Sequence, residues 1–314
     1  MSKMYKQITK KITEMVIEML DKGIIPWKKP WVGGISNAPR SISTKKHYRG
    51  ANSMILGCAG YSSPWWLTFG QARKLGGMVR KGEKSMPVHY WKFNQEYDCR
   101  TCGGSGLSRS GRCTACDGTG IYKSKYQQLF SFNVFNALQC EGLPEKYYET
   151  IKPEEGEGEE FDPVDECEKI CDGYENAPDT YHDQSDRAYY SPSNDDIHLP
   201  NPDQFNTPSE YYSTRFHEMV HSTGHQSRLD RDSLVNSDGF GNHKYSKEEL
   251  VAEMGATFLR GITGVNGDSV MDNSASYIAN WKQKLQDNTD WLVWASSRAA
   301  KGVDWILGDR KQPS

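Results

Sequence analysis

The string HEMVHSTGH opens at His217. On a helix, His217 and His221 stand four residues apart on one face, so both imidazoles can reach a single zinc ion. Glu218 is then beside the metal without binding it. There it can take a proton from a zinc-held water and later pass it to a leaving amine. The five-residue pattern also arises by chance, so its surroundings decide its value. Thr207-Pro208-Ser209-Glu210 gives an N-cap Thr, Pro at the first helical position and Glu three residues on, and Gly224 supplies the stop. A longer zinc pattern would end in a third His three residues after that Gly, where this chain has Ser227. A carboxylate is therefore the expected third ligand.

KEELVAEM offers Glu249 and Glu253, four apart on a helix predicted to start at Ser246. The constellation resembles zincins of the glutamate type. On that resemblance Glu249 is assigned to zinc and Glu253 to a hydrogen bond with a ligand histidine, the reversed roles being the alternative. Glu249 also stands three residues after Ser246, so a capping box would account for it without any metal. Tyr245, one turn before Glu249, is a candidate donor to a developing oxyanion, against which stands an ordinary packing role. His225 reads as a loop or supporting histidine.

A second metal site is written in CRTCGGSG and CTACDGTG. Cys99, Cys102, Cys113 and Cys116 supply four thiolates, and the glycines permit tight turns that aim backbone amides at sulfur. A closed, structural zinc site of four cysteines is expected, with no position open to water. The repeat is similar to the cysteine-rich zinc modules of DnaJ chaperones, which implies metal binding and nothing more. Cys58, Cys140, Cys167 and Cys171 have no such spacing and read as free thiols.

Cations and flat rings interleave through the first third of the chain. They are Trp27, Lys28, Lys29, Trp31, then Arg40, Lys45, Lys46, Tyr48, Arg49, then Trp65, Trp66, Arg73, Lys74, and Arg80, Lys81 and Lys84. Single-stranded nucleic acid is held by this pairing, phosphates on cations and unstacked bases on aromatic faces. Some of the Trp residues belong to the core on any reading, at least one of the adjacent Trp65 and Trp66 among them.

The charge distribution separates these chemistries. Across 314 residues the net charge is −3, yet residues 1–140 hold 22 Lys+Arg against 7 Asp+Glu, leaving 16 against 34 for the remainder. One part suits a polyanion and the other does not. The alternative is two unlike domains that attract each other. No apolar run approaches a membrane span, and the first residues are charged where a signal peptide is apolar, so a cytoplasmic protein is expected.

The elements that must position these groups follow from periodicity. Ile8, Ile12, Met15, Val16, Met19 and Leu20 mark an amphipathic helix up to Gly23, expected to pack on the first domain. A short helix, a Gly-Gly break and a strand through Val88, Tyr90 and Phe93 come next. The cysteine insert at 99–120 is expected to hang between that strand and another in QQLFSFNVFNALQC. Residues 151–170 read as an acidic linker. Short strands at 188–190 and 197–199 and helices bearing HEMVH, KEELVAEM and residues 274–307 complete the second part. The predicted fold class is α+β. A basic α+β DNA-binding domain, 1–150, carries the zinc-binding insert, and a mainly helical zincin-like domain, 171–314, follows it.

The strings GIIPWKKPW, HYRGANSMIL, GYSSPWWLTFGQARKLGGMVRKGEKSMPV, YYSPSNDDIHLP, FHEMVHSTGHQSRLDR and YSKEELVAEMGATFL resemble the ArdC family of antirestriction proteins of plasmids and phages. The resemblance implies an N-terminal single-stranded-DNA-binding domain and a C-terminal zincin-like metallopeptidase domain. It implies zinc binding by His217, His221 and one of Glu249 or Glu253, with Glu218 as acid/base. The cysteine insert and the long acidic stretch depart from simpler family members. The expected function is protection of incoming DNA from restriction. A DNA-delivered zinc protease acting on a DNA-associated host protein is one alternative, and a DNA-binding module with a non-catalytic zincin fold the other.

Overall fold

The computed structural model describes residues 3–27, 37–92, 96–108, 111–123, 128–149, 162–184, 186–235, 243–265 and 275–308, as a mixture of helix and strand. Lys28, Lys29 and Trp31 lie outside them. Two compact units result: residues 1–86 with 134–314, and Pro87–Asn133.

The first unit begins with α1 (Lys3–Asp21), β1 (Arg40–Ser41), α2 (Ala51–Gly57), β2 (Trp65–Leu67), α3 (Phe69–Lys74) and β3 (Met78–Val79). β4 (Met86–Lys92) leads into the second unit, which holds β5 (Glu96–Asp98), β6 (Leu107–Ser108), β7 (Gly111–Arg112), β8 (Ile121–Lys123) and most of β9 (Gln128–Asn136). The first unit resumes with β10 (Cys140–Glu141), α4 (Pro163–Asp172), β11 (Asp179–Gln184), β12 (Tyr189–Ser191) and β13 (Asp196–Pro200). It ends with α5 (Pro208–Ser222), α6 (Asp232–Val235), α7 (His243–Thr263), α8 (Ala275–Asp287) and α9 (Trp291–Ile306).

One sheet has the order β1-β2-β9-β4, so the cysteine insert does connect two neighbouring strands. β3 pairs with β10, a short ribbon that the periodicity of the chain does not announce. In the later sheet β13 runs parallel to β11 and antiparallel to β12. The polar strand β11, DTYHDQ, is not among the predicted strands either. Its residues are mostly exposed and lack the apolar alternation that marks a half-buried strand.

Three expectations need correcting. α1 does present Ile8, Ile12, Val16 and Leu20 as a buried stripe, but among the described elements its main packing partners are α8 and α9. The Thr13 hydroxyl donates to the Thr289 carbonyl at 2.9 Å, and Lys282 pairs with Asp21 at 2.5 Å. Second, the linker expected through residue 170 is helical from Pro163, with Asp162 capping the amide of Val164 at 2.7 Å. Cys167 and Cys171 are buried residues of that helix. Third, α7 starts at His243, ahead of the predicted Ser246.

The largest core among the described residues gathers α5, α7 and α9 with Trp27 and with Val16 and Leu20 of α1. α5 is seated at near-backbone distance. A Cβ on Gly255 of α7 would fall 2.7 Å from the Val220 methyls, and one on Gly302 of α9 would fall 2.9 Å from the Thr223 hydroxyl. Two glycines thus let α5 sink between its neighbours.

Candidate functional site

α5 starts as its sequence requires, with the Thr207 hydroxyl accepting from the Glu210 amide at 3.3 Å. Its far end places His217 and His221 on one face, and α7 brings Glu249 across to them. The two Nε2 atoms lie 3.1 Å apart. Glu249 reaches His217 Nε2 at 3.5 Å and His221 Nε2 at 3.3 Å. Three ligand atoms therefore converge within 4.8 Å of one another. The nitrogen separation is close to the roughly 3.3 Å expected for two imidazoles at ~2.05 Å on one tetrahedral ion. His217 Nδ1 is buried without a hydrogen-bond partner. The donor set, two imidazoles and one carboxylate, suits a divalent transition metal.

Since Ser246 lies inside α7, Glu249 is not at a capping position, and capping does not explain it. Glu253 does not support a ligand histidine. It accepts from the Tyr277 hydroxyl at 2.8 and 2.6 Å. The supporting carboxylate is Glu248, which the sequence reading missed: its Oε1 lies 3.4 Å from His221 Nδ1. Arg231 binds Glu248 from the other side through Nε at 3.2 and 3.1 Å and through Nη2 at 2.5 Å, and Ser233 donates to it at 2.6 Å. The same guanidinium donates to the carbonyls of Val220 and His221 at the end of α5. Gly224 is needed beside it, since a Cβ there would lie 2.8 Å from the Arg231 guanidinium carbon.

Electrostatics follow from this packing. Burial lowers the basicity of His221, but Glu248 and Glu249 outweigh it and push the imidazole up to about 10. Burial likewise opposes ionisation of Glu248, yet Arg231 and His221 prevail and bring it down to about 2. Glu249 is held well below the usual carboxylate range: burial would raise it, and the two histidines overcome that. Glu218 is buried beside both histidines. Tyr245 belongs to α7, with its side chain outside the described part. His225 pairs with Ser227 and faces Asp195, apart from the three converging donors.

In the second unit, Cys99, Cys102, Cys113 and Cys116 bring their sulfurs within 4.8 Å of one another. The cross-pairs, Cys99–Cys113 at 3.9 Å and Cys102–Cys116 at 3.7 Å, match the roughly 3.8 Å of two thiolates at ~2.3 Å on a tetrahedral zinc. The amides of Gly106 and Gly120 donate to the sulfurs of Cys102 and Cys116, each at 3.3 Å. These glycines have φ of +75° and +74°, and a Cβ on either would collide with the other turn's backbone at 2.4 or 2.2 Å. That explains the last Gly of each CxxCxGxG. The Cys102 and Thr101 amides draw the Cys99 thiol down to about 6.

The expected nucleic-acid contacts divide. Trp27 is 1% exposed, with Nε1 donating to Tyr277 at 3.3 Å and its carbonyl accepting from Thr257, so its ring offers nothing to a base. Trp66 is buried as well. Arg40 and Lys45 both lie over the Trp65 ring, at 5.2 and 4.8 Å. Tyr48 is half-buried and Arg49 pairs with Asp304. Arg80 is held by Glu83 at 2.8 Å. Arg73, Lys74, Lys81 and Lys84 are exposed. Tyr90 and Phe132, at 46% and 45% exposure, are not among the nucleic-acid contacts expected from the sequence. Tyr90 stacks with Phe130 and Phe132 across β4 and β9 at 5.5 and 5.8 Å. The alternation in QQLFSFNVFN could have flagged Phe130 and Phe132, which share one face.

The profile of the N-terminal domain of anti-restriction factor ArdC matches residues 6–135, and that of a zincin-like metallopeptidase matches residues 170–298. The chain is similar to crystal structures of the antirestriction ArdC protein from R388 plasmid. The metal-free form gives a TM-score of 0.68 at 31% identity, covering 96% of this chain and 97% of that one. The Mn(II)-bound form gives 0.69, covering 98% and 99%. A DNA primase TraC of Escherichia coli is 35% identical over 99% of this chain, which spans only 28% of that protein. An uncharacterized protein, y4eC, of Sinorhizobium fredii is 27% identical, and the chain covers 91% of it. No helix among the described residues is long and apolar enough to cross a membrane.

Proposed function

Because this chain belongs to the ArdC family of antirestriction proteins, we propose that it binds single-stranded DNA entering a restricting bacterial cell and carries a zinc-dependent peptidase centre. The observation that carries the peptidase reading is the convergence of His217, His221 and Glu249 beside Glu218. His217, His221 and Glu249 would hold a divalent ion, zinc by their donor set, and that ion would supply acidification of water and polarisation of a carbonyl. The chain's own residues do the rest. Glu248 orients the His221 ring through Nδ1, leaving Nε2 for the metal. The Glu218 carboxylate takes the proton from water and hands it to the leaving amine. Tyr245 is the proposed oxyanion donor, one helical turn before Glu249. The four-cysteine site serves as the structural zinc centre.

For DNA, the exposed cations Arg73, Lys74, Lys81 and Lys84 of the first unit supply phosphate contacts, and within the second unit Tyr90 and Phe132 form a separate stacking face. That a related stretch forms part of long proteins named DNA primases supports a DNA ligand. The proposed peptide substrate is a DNA-associated host protein.

The test is entry of unmodified plasmid DNA into a restricting host with no protein, wild type, or Glu218→Ala. Protection by wild type alone makes the peptidase essential. Equal protection by both assigns the effect to DNA binding, and protection by neither rejects the antirestriction role for this chain.

A further inference from the structure

A cavity of about 340 Å³ lies between the segment Lys46–Ser53 and the facing residues of α7 and α9. This is near the lower end of the ~300–1,000 Å³ found for small-molecule sites, so it suits one small group. Phe258, Ile262, Ala300 and Val303 give it apolar walls. Lys46 and Arg49 line it from an exposed position. Residues 37–57, which include this segment, carry Arg40, Lys45, Lys46 and Arg49 and no carboxylate. Two polar groups belong to the interior. Asp304, paired with Arg49, offers carboxylate acceptors, and Ser53 is 3% exposed with its hydroxyl buried and unpartnered. A buried hydroxyl without a partner is unfavourable in a native fold, and a rotation of the Ser53 side chain toward the cavity would let a ligand supply one.

Cations at the opening, an apolar interior and a stranded hydroxyl are together the requirements of a nucleotide: phosphate outside, base inside, edge atoms on Ser53 and Asp304. We propose that this cavity takes one unstacked base of a bound single strand, with the flanking phosphates on Lys46 and Arg49. The proposal rests on the single-strand reading above and assigns it a site on this first unit. Sequence preference is weak there, because apolar walls accept any base and only the two polar groups discriminate.

The experiment uses the full chain and two strands of about 12 nucleotides, oligothymidylate and its abasic counterpart with the same phosphates. Ala300→Trp fills the cavity. It should weaken oligothymidylate binding about tenfold and leave the abasic strand unaffected, whereas Lys46→Glu should weaken both. Photo-crosslinking of a halogenated-uracil strand to the unaltered protein gives a readout that no folding defect can confuse, and the crosslink should map to Tyr48 or Phe258. Unchanged oligothymidylate binding by a folded Ala300→Trp protein, or crosslinks only elsewhere, overturns the proposal. Thymidine monophosphate bound by wild type and lost in Ala300→Trp, with strand binding unaffected, replaces the strand by a free nucleotide and also overturns it. Binding of neither strand by wild type removes the single-strand reading itself.

Discussion

Glu248 Oε1 stands 3.4 Å from His221 Nδ1, on the opposite side of the imidazole from the Nε2 that faces Glu249. Two adjacent residues of one helix thus grip a single ring from front and back. Glu248→Gln should lower metal affinity about 10–100-fold by releasing the ring. It should also leave Arg231 unpaired in the core, and losing one member of a buried ion pair costs about 3–5 kcal/mol. Calorimetric metal titration together with a thermal melt separates the two effects.

Metal stoichiometry distinguishes Glu249 from Glu253. Glu249→Ala should abolish high-affinity binding at the His217/His221 site, while Glu253→Gln should keep it and lose stability through Tyr277. Metal content after dialysis decides, and loss of the ion from Glu253→Gln with retention in Glu249→Ala would reverse the assignment.

Metal binding should release protons. The ordinary value for His221 is 6.5, and burial, outweighed by Glu248 and Glu249, leaves it pushed up to about 10. The stabilisation this gives the metal-free protein is complete below 6.5 and is lost as pH rises through 10. A metal needs the neutral ring, so between those values its binding must expel the proton. Titration at about pH 7.5 in buffers of differing ionisation enthalpy should report about one proton or more per ion. A count near zero would mean the ring is already neutral.

Much of this site was legible because it is local. His217, Glu218 and His221 lie within one helical turn, and the Thr207 cap and both cysteine pairs are likewise short-range chemistry. Glu248 was not legible: which residue of KEELVAEM faces α5 depends on how the two helices cross, and spacing along one helix pointed to Glu253 instead. Trp27 sits among Lys residues and reads as a base-stacking ring until its partners, 230 and 250 residues away, are seen to enclose it. The helix from Pro163 is masked by its acidic composition.

The four-cysteine site predicts a separable loss of structure. Cys113→Ser, or chelation, should abolish amide protection across residues 99–120 while the helical signal of the first unit persists. Hydrogen exchange of metal-loaded and stripped protein tests this, and collapse of both units together would contradict it.

Gly255→Ala tests the seating of α5. Its Cβ would meet the Val220 methyls at 2.7 Å, and Val220 lies between the two ligand histidines in sequence. Overpacking there should cost about 1–3 kcal/mol and weaken metal binding as well as stability. A variant that melts lower yet binds metal as wild type does would show that the shift is absorbed away from α5.

The packing of α1 on α8 and α9 also has a timetable. Thr13 and the Thr289 carbonyl it bonds are 276 residues apart. At about 5–20 residues per second, a ribosome needs roughly 14–55 s to make the second after the first. Throughout that interval the apolar stripe of α1 lacks the surfaces of α8 and α9 that cover it in the native fold, so during synthesis this helix is a client for chaperones.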